Sequence, residues 1–599
     1  MSLRRVGGLA AMALALMVCM SCGDIYRPVV IPIAVTTPNA ANFHAVFGIS
    51  SNAQANPGAA LQIDVSGDTD IGQADMGINP THAAILPNNA RVFVASAGSL
   101  FPGQSDIVTS FTPASGGNIA SGLGNPTIYT YPNVGPIGSS GTPEWFCSYL
   151  PDFLATTQGT GIYVANYGVD NDPGCTTLSS TDSVALLNNT ANGITNFAYL
   201  PAGAHPVALA ETPNAQHLYV VNQGNNTLTD LSPLDLSTAA TMNVGATPVW
   251  AVARLDNQRV YVLTQGSGTL VPIDVATDTV LPSQTNLSVG AGANFLLYDP
   301  HLNRLYVTNP SNGNVYVFSA TGGVDLSGNA NDTPTLLATI SMTAGANPPC
   351  SSACSPVSVT ALPDGSRFYV ASYQSEANCS DPNVGSTACV IPLLTVFDAP
   401  SMTVKPATLS LRPPSISLLG TPNFAASQYA LPPVASCVPA PVYSPGTTRF
   451  RMYTTSASDS SHVYVSICDA GMIADVVTRT STIATGSNSP DTLVTNIAAP
   501  FGACATTCGS VATITSIGAT GNIVTFTALN NFTAGTRVAI SGTGTSLDGQ
   551  TFTVLAAGLS PAAFSCNLNS SKDAGVTGTT GKAVPLAPPQ APIFLLTGQ

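Results

Sequence analysis

Charge is scarce in this chain. Only 8% of its 599 residues are Asp, Glu, Lys or Arg, against about 25% in an ordinary soluble domain. That scarcity excludes a long-helix or coiled-coil protein, whose exposed faces need Glu and Lys. The charge that exists is acidic: 30 Asp and Glu face 16 Lys and Arg, for a formal net charge of −14. A nucleic-acid partner is therefore not expected, since phosphate binding needs a basic surface. Contiguous catalytic motifs are missing too, with no Gly-rich nucleotide loop followed by Lys, no H-E-x-x-H, no G-x-S-x-G and no C-x-x-C-H. Beyond the N-terminus, no run is long and apolar enough to span a bilayer. What is present is 44% hydrophobic residues in recurring short segments, with 53 Gly and 47 Pro. Disorder is excluded by those segments. A Thr/Ser/Gly-rich β protein remains.

The N-terminus predicts export. Arg4 and Arg5 precede a short apolar core from Val6 to Val18, and Ser21 supplies a small residue before a cleavage point, giving a signal peptide over 1–21. The segment Cys19-Met20-Ser21-Cys22 resembles a bacterial lipoprotein processing site, with Cys19 standing where an apolar residue is usual. The resemblance implies that Cys22 is lipidated and, through a linker over 22–27, tethers the chain in the bacterial envelope, on the periplasmic or outer-surface side. Membrane contact is then through the lipid alone. Ordinary secretion, with Cys22 bare or removed, is the other reading.

Cysteine usage agrees with an oxidising compartment. Thirteen Cys become eleven when Cys19 and Cys22 are set aside. Local pairs are Cys350 with Cys354, Cys379 with Cys389 and Cys504 with Cys508; Cys147 with Cys175 and Cys437 with Cys468 give two longer ones. Cys566 is left without an obvious partner. The C-x3-C spacing is not a zinc knuckle and has no His nearby, so no metal site is predicted. Asp64, Asp68 and Asp70, and separately Asp170 and Asp172, alternate as calcium ligands do, but lack the bidentate acid of a full loop and read as turn residues.

Internal similarity determines the architecture. Six stretches share a turn, then Arg or His, then an aromatic-bearing strand: Leu86 to Val94, Thr212 to Val220, Leu255 to Val262, Asp299 to Val307, Leu362 to Val370 and Asp459 to Val465. Looser copies are Gly161 to Asn166 and His44 to Phe47, which makes eight. Pro, Asp, Asn and Gly supply the backbone angles of a hairpin turn. Apolar segments before and after each turn, with a Thr-rich fourth, predict four short antiparallel strands per unit and hence a β-propeller. Tyr306-Val307-Thr308-Asn309, Tyr219-Val220-Val221-Asn222 and Tyr163-Val164-Ala165-Asn166 resemble the YVTN β-propeller repeat. Eight blades are favoured over 28–505. Seven result if the divergent first copy pairs with C-terminal strands to close the ring, since an open ring would bare two edges. Ser489 to Pro500 resembles a further innermost strand. A small β-sandwich or barrel-like module is expected over 509–570, then a Pro-rich linker over 571–599 in which Ile593 to Thr597 can return as a closing strand.

Arg91, His217, Arg259, Arg304, Arg367 and His462 share one repeat slot and read as scaffold. His82 and His205, at the start of innermost strands, together with Glu211, Trp250 and Arg254, are weak candidates for a polar pocket at the channel. No cofactor is predicted. The long insertions at 167–182, 344–355 and 373–390 and most of the cysteines fall in connections that open on a single mouth. The leading expectation is a non-catalytic, monomeric, envelope-anchored binding or scaffold protein whose partner is an envelope protein, a glycan or a small molecule. The alternative is a hydrolase resembling the propeller lactonases, acting on a small ester or lactone at the channel. A cofactor-bearing propeller of the dehydrogenase type is the third reading.

Overall fold

The computed structural model describes residues 45–598 apart from loop segments, the longest being 99–106, 114–122, 132–146, 380–387, 406–414, 419–429, 480–489 and 501–508. The signal peptide, Cys22, Asp68, Cys504 and Cys508 lie outside the described residues. Eight antiparallel sheets, each built on four strands, follow one another as the blades of a propeller. Blade I takes three strands from the start of the described chain, Ala45–Asn52, Asn56–Asp64 and Thr69–Ile78. Blades II to VIII begin with innermost strands Pro80–Ile85, Pro151–Thr156, Pro206–Glu211, Pro248–Ala253, Phe295–Asp299, Cys354–Ala361 and Met452–Ser456.

The ring closes with the other end of the chain. Ala591–Thr597 forms the innermost strand of blade I, with Phe47 opposite Leu596 and Gly48 opposite Leu595. The divergent first copy does pair with a C-terminal strand, but seven further blades accompany the blade so formed, and the ring has eight blades rather than seven. Gly48 lets blade VIII pack close: a Cβ there would come within 2.3 Å of Cδ1 of Ile473, so a larger residue needs that side chain to shift. A hydroxyl pair, Thr455 Oγ1 and Thr597 Oγ1 at 2.6 Å, ties blade VIII to the closing strand.

The repeated residues earn their place at the blade boundaries. Burying a tyrosine ring leaves a phenol that must find a partner. Four second-strand tyrosines find it in the following blade: Tyr163 donates to Pro233 O at 2.9 Å, Tyr219 to Asp278 at 2.7 Å, Tyr261 to Ala320 O at 2.6 Å and Tyr369 to Asp491 at 2.6 Å, whereas Tyr306 Oη in blade VI is buried with no hydrogen-bond partner. The Arg slot works alongside. Arg259 reaches Asp332 O, Arg304 reaches Ala399 O and Pro400 O, and Arg367 pairs with Asp491 at 2.7 Å, each on the next blade. The Asn that ends the four-residue motif closes turns: Asn309 Nδ2 donates to Val289 O and Gly290 O while its Oδ1 accepts from Ser311 N.

Two expectations change. Thr492–Ala498 is the outermost strand of blade VIII, not an innermost one. Pro490 imitates the Pro that opens innermost strands, but the strand itself is only partly covered, with Thr495 and Asn496 half-buried. The C-terminal module extends past residue 570: Lys582–Pro585 pairs with both Ala512–Thr520 and Arg537–Ser541 inside a seven-stranded sheet arrangement. Its Arg537 donates to Ala470 O of blade VIII at 3.2 Å.

A chain ending before Ala591 leaves blade I without its innermost strand and bares an apolar edge. Thermal unfolding of such a truncation is expected to begin at least 10 °C lower, with dye binding to exposed apolar surface; an unchanged transition would contradict closure by this strand.

A candidate site at the sealed channel mouth

Six innermost strands open in the same way. Pro is followed by a residue that the ladder skips: Thr81, Asp152, Val207, Val249, Val357 and Ile593. Pro has no N–H to give, and a bulged residue drops out of pairing, so the carbonyl at that point is available to another donor. A single arginine takes two of them. Arg449, from the segment leading into blade VIII, donates to Val207 O at 2.9 Å and to Val249 O at 2.6 Å.

The bulge of blade III contributes a side chain instead. Asp152 is fully buried, lies 3.5 Å from Arg449 Nη1 and accepts a hydrogen bond from Tyr443 Oη. Burial pushes the Asp152 carboxyl up to about 6, against the opposing pull of Arg449 and Tyr443. The rings of Tyr443, Trp250 and Phe153 lie 4.6, 4.9 and 5.8 Å from the guanidinium carbon of Arg449. Such cation–π contacts gain from desolvation. The Cys437–Cys468 disulfide ties the start of this segment to blade VIII.

Below the guanidinium the channel is filled by rings. His82 stacks on Phe153 at 3.8 Å, Phe153 meets Trp250 at 5.4 Å, and Trp250 meets Phe450 at 5.8 Å. Phe450 then meets Tyr453 at 5.2 Å, Tyr453 meets Phe594 at 4.5 Å, and Phe594 returns to His82 at 4.3 Å. This circuit draws on blades I, II, III, V and VIII and on the segment carrying Arg449. It closes the channel. A cavity of about 450 Å³ remains above it, lined by Asn79, Thr81, Ser436, Tyr443, Arg449 and Ile593 among others. Hydroxyls, an amide and a guanidinium face can hold a polar ligand. Among the described residues its lining contains no carboxylate and no imidazole.

The five residues expected at a pocket are not gathered into one. His82 is buried in the aromatic circuit, accepts from Leu154 N at Nδ1, and is held neutral by burial and then by Arg449, well below the ordinary imidazole range. Trp250 belongs to the same circuit. His205 stands apart on the loop side of blade IV, stacked on Tyr167 at 4.5 Å and 3.3 Å from Asp182, whose hydrogen bond raises its pKa. Arg254 is buried between blades V and VI. Its burial works against the charge, yet Asp332 and Asp256 hold the proton firmly. Glu211, at the far end of its strand, is raised by burial to about 8, and its Oε1 has no hydrogen-bond partner. His205, Glu211 and Arg254 share no contact with one another. Asp170 and Asp172 bind the backbone N–H groups of Gly203 and Ser148.

Sequence reasoning missed Arg449, Asp152 and Tyr443. The recurring Pro at the start of innermost strands marked the bulges, but nothing local marked which insertion would supply the donor. The four pairs Cys147–Cys175, Cys350–Cys354, Cys379–Cys389 and Cys437–Cys468 are joined, and their cysteines lie in the connections of strand two to three or four to one, except Cys354 and Cys389, which are the first residues of the strands those connections lead into. In a propeller those connections share one mouth.

No family model matches the chain, and no curated protein matches it in sequence. Solved structures that resemble it do so at low sequence identity. A candidate 6-phosphogluconolactonase from Bacteroides fragilis is 14% identical, with TM-score 0.39, over 62% of this chain and 95% of its own. The dihydro-heme d1 dehydrogenase NirN is 11% identical, with TM-score 0.45, over 77% of each chain. The periplasmic gluconolactonase PpgL of Pseudomonas aeruginosa is 14% identical, with TM-score 0.37, over 49% of this chain and 82% of its own. At these values neither substrate nor chemistry transfers to this chain.

Arg449→Ala leaves Asp152 buried without its cation and is expected to cost about 3–5 kcal/mol, whereas the double variant Arg449→Met with Asp152→Asn costs less than that single change. Chemical denaturation of both checks this. For Glu211 the folded state keeps a proton that the unfolded chain releases near the ordinary glutamate value of 4.5, so stability falls as pH rises from about 4.5 through about 8. Glu211→Gln removes that slope and raises Tm at pH 8 by about 2–4 °C, as measured by thermal scans across this range.

Proposed function

We propose that the protein is an exported, non-catalytic propeller of the YVTN type, lipid-anchored at Cys22 in the bacterial envelope, that binds an envelope protein, glycan or small molecule at its disulfide-braced mouth. One observation carries the reading: the four disulfides among the described residues, the Arg449 segment and the cavity above the aromatic circuit gather at a single mouth. Disulfides fix long loops before a ligand arrives and so reduce the ordering cost of binding. The lactonase reading, which takes a small ester or lactone at the channel, requires nucleophile and base to converge. Burial of His82 in the ring circuit and the separation of His205 from Glu211 leave it without a constellation.

Photo-crosslinking residues placed at exposed mouth positions Asn171 and Asn378 are expected to give discrete adducts in intact cells, while the same residues at Gln216 and Gln258, on the opposite side, give none. Adducts of equal yield on both sides, or none from the mouth, would contradict the proposal. Mass spectrometry of the mature chain checks the anchor separately: a diacyl or triacyl group on Cys22 is expected.

A further inference from the structure

The boundary between blades IV and V departs from its neighbours in charge. At the V–VI boundary Arg254 and Arg259 answer Asp332, and at the VII–VIII boundary Arg367 and Lys405 answer Asp491. In blade IV the same slot holds His217, and it faces two carboxylates. His217 Nδ1 lies 2.7 Å from Asp230 Oδ2, and Asp278 comes across from blade V, held by the hydroxyl of Tyr219 at 2.7 Å. One ligand atom from each of His217, Asp230 and Asp278 lies within 4.8 Å of the other two. Asp230 is 1% exposed, and its Oδ1 is buried with no hydrogen-bond partner. An imidazole in place of a guanidinium therefore leaves two carboxylates under-neutralised, one of them with an unsatisfied buried oxygen.

We propose that His217, Asp230 and Asp278 form a binding site for a first-row divalent cation, zinc being the probe of choice, that bridges blades IV and V. One nitrogen and two carboxylate ligands suit such an ion, whereas calcium prefers oxygen alone. The ion takes the place of the proton at His217 Nδ1 and supplies the positive charge that arginine supplies at the neighbouring boundaries. His217 keeps its scaffold role in this arrangement, with the cation added to it. Tyr219, which stacks beside His217 with ring centroids 5.9 Å apart, orients Asp278 and is a positioning residue.

The test uses the full oxidised chain, stripped with chelator and titrated calorimetrically with zinc chloride. One saturable equivalent and a rise in Tm are expected. Asp230→Asn should weaken that equivalent by about 100-fold or more, since losing a ligand costs at least as much as the roughly 10–100-fold loss that follows removal of an outer-shell partner. His217→Arg installs the residue used at the V–VI, VI–VII and VII–VIII boundaries, so the variant is expected to fold with a zinc-free Tm no lower than that of the wild type yet lose the equivalent. Absence of a saturable equivalent in the wild-type chain, or its retention with equal affinity in His217→Arg, would overturn the proposal.

Discussion

Blade I is complete only because its innermost strand arrives from the far end of the chain. Here Ala591–Thr597 pairs with Ala45–Asn52, so about 540 residues of chain separate two neighbouring strands. Every other feature presupposes that pairing. Phe594 enters the aromatic circuit only because its strand is seated in blade I, and Ile593 lines the mouth cavity as the bulged residue of the same strand. The C-terminal module sits in the sequence between blade VIII and the closing strand.

Seating the strands creates a second requirement. Pro-initiated bulges leave carbonyls at the channel, and a buried carbonyl without a donor is costly. Arg449 answers two of them, and in doing so becomes a buried cation that itself needs neutralising. Asp152 and three aromatic faces meet that need. The outcome is a channel closed by side chains with a polar cavity above it. Closure of the channel moves the available recognition surface outward, to the loops that disulfides brace.

Much of the fold was legible in the sequence because its cause is local and repeated. Tyr219, Tyr261 and Tyr369 recur at one position since each must reach the blade that follows, and a periodic requirement leaves a periodic trace. Ile593 to Thr597 was readable as a closing strand from its apolar run after a Pro-rich stretch. Thr492 to Ala498 was misplaced because Pro490 resembles a strand opener, while its partial exposure follows from its place at the outside of blade VIII. Lys582 to Pro585 was hidden by the prolines around it. The mouth was legible only in part: the cysteine pairs lie close in sequence, but Arg449 meets Val207 and Val249 across roughly 200 residues, and no spacing rule announces such a contact. His82 looked like a channel histidine from its strand position; only the neighbouring rings of Phe153 and Phe594 reveal it as a neutral core group.

Amide hydrogen exchange resolved to single residues on the intact chain tests ring closure most directly. Amides of Phe47 to Ile49, and those among Phe594 to Leu596 that face Ala45–Asn52, are predicted to exchange as slowly as those of Tyr261 to Leu263 at the centre of blade V, because each is bonded within a complete blade. Exchange of the Phe594 to Leu596 amides within seconds, with blade V still protected, would show that the C-terminal strand is not part of the ring.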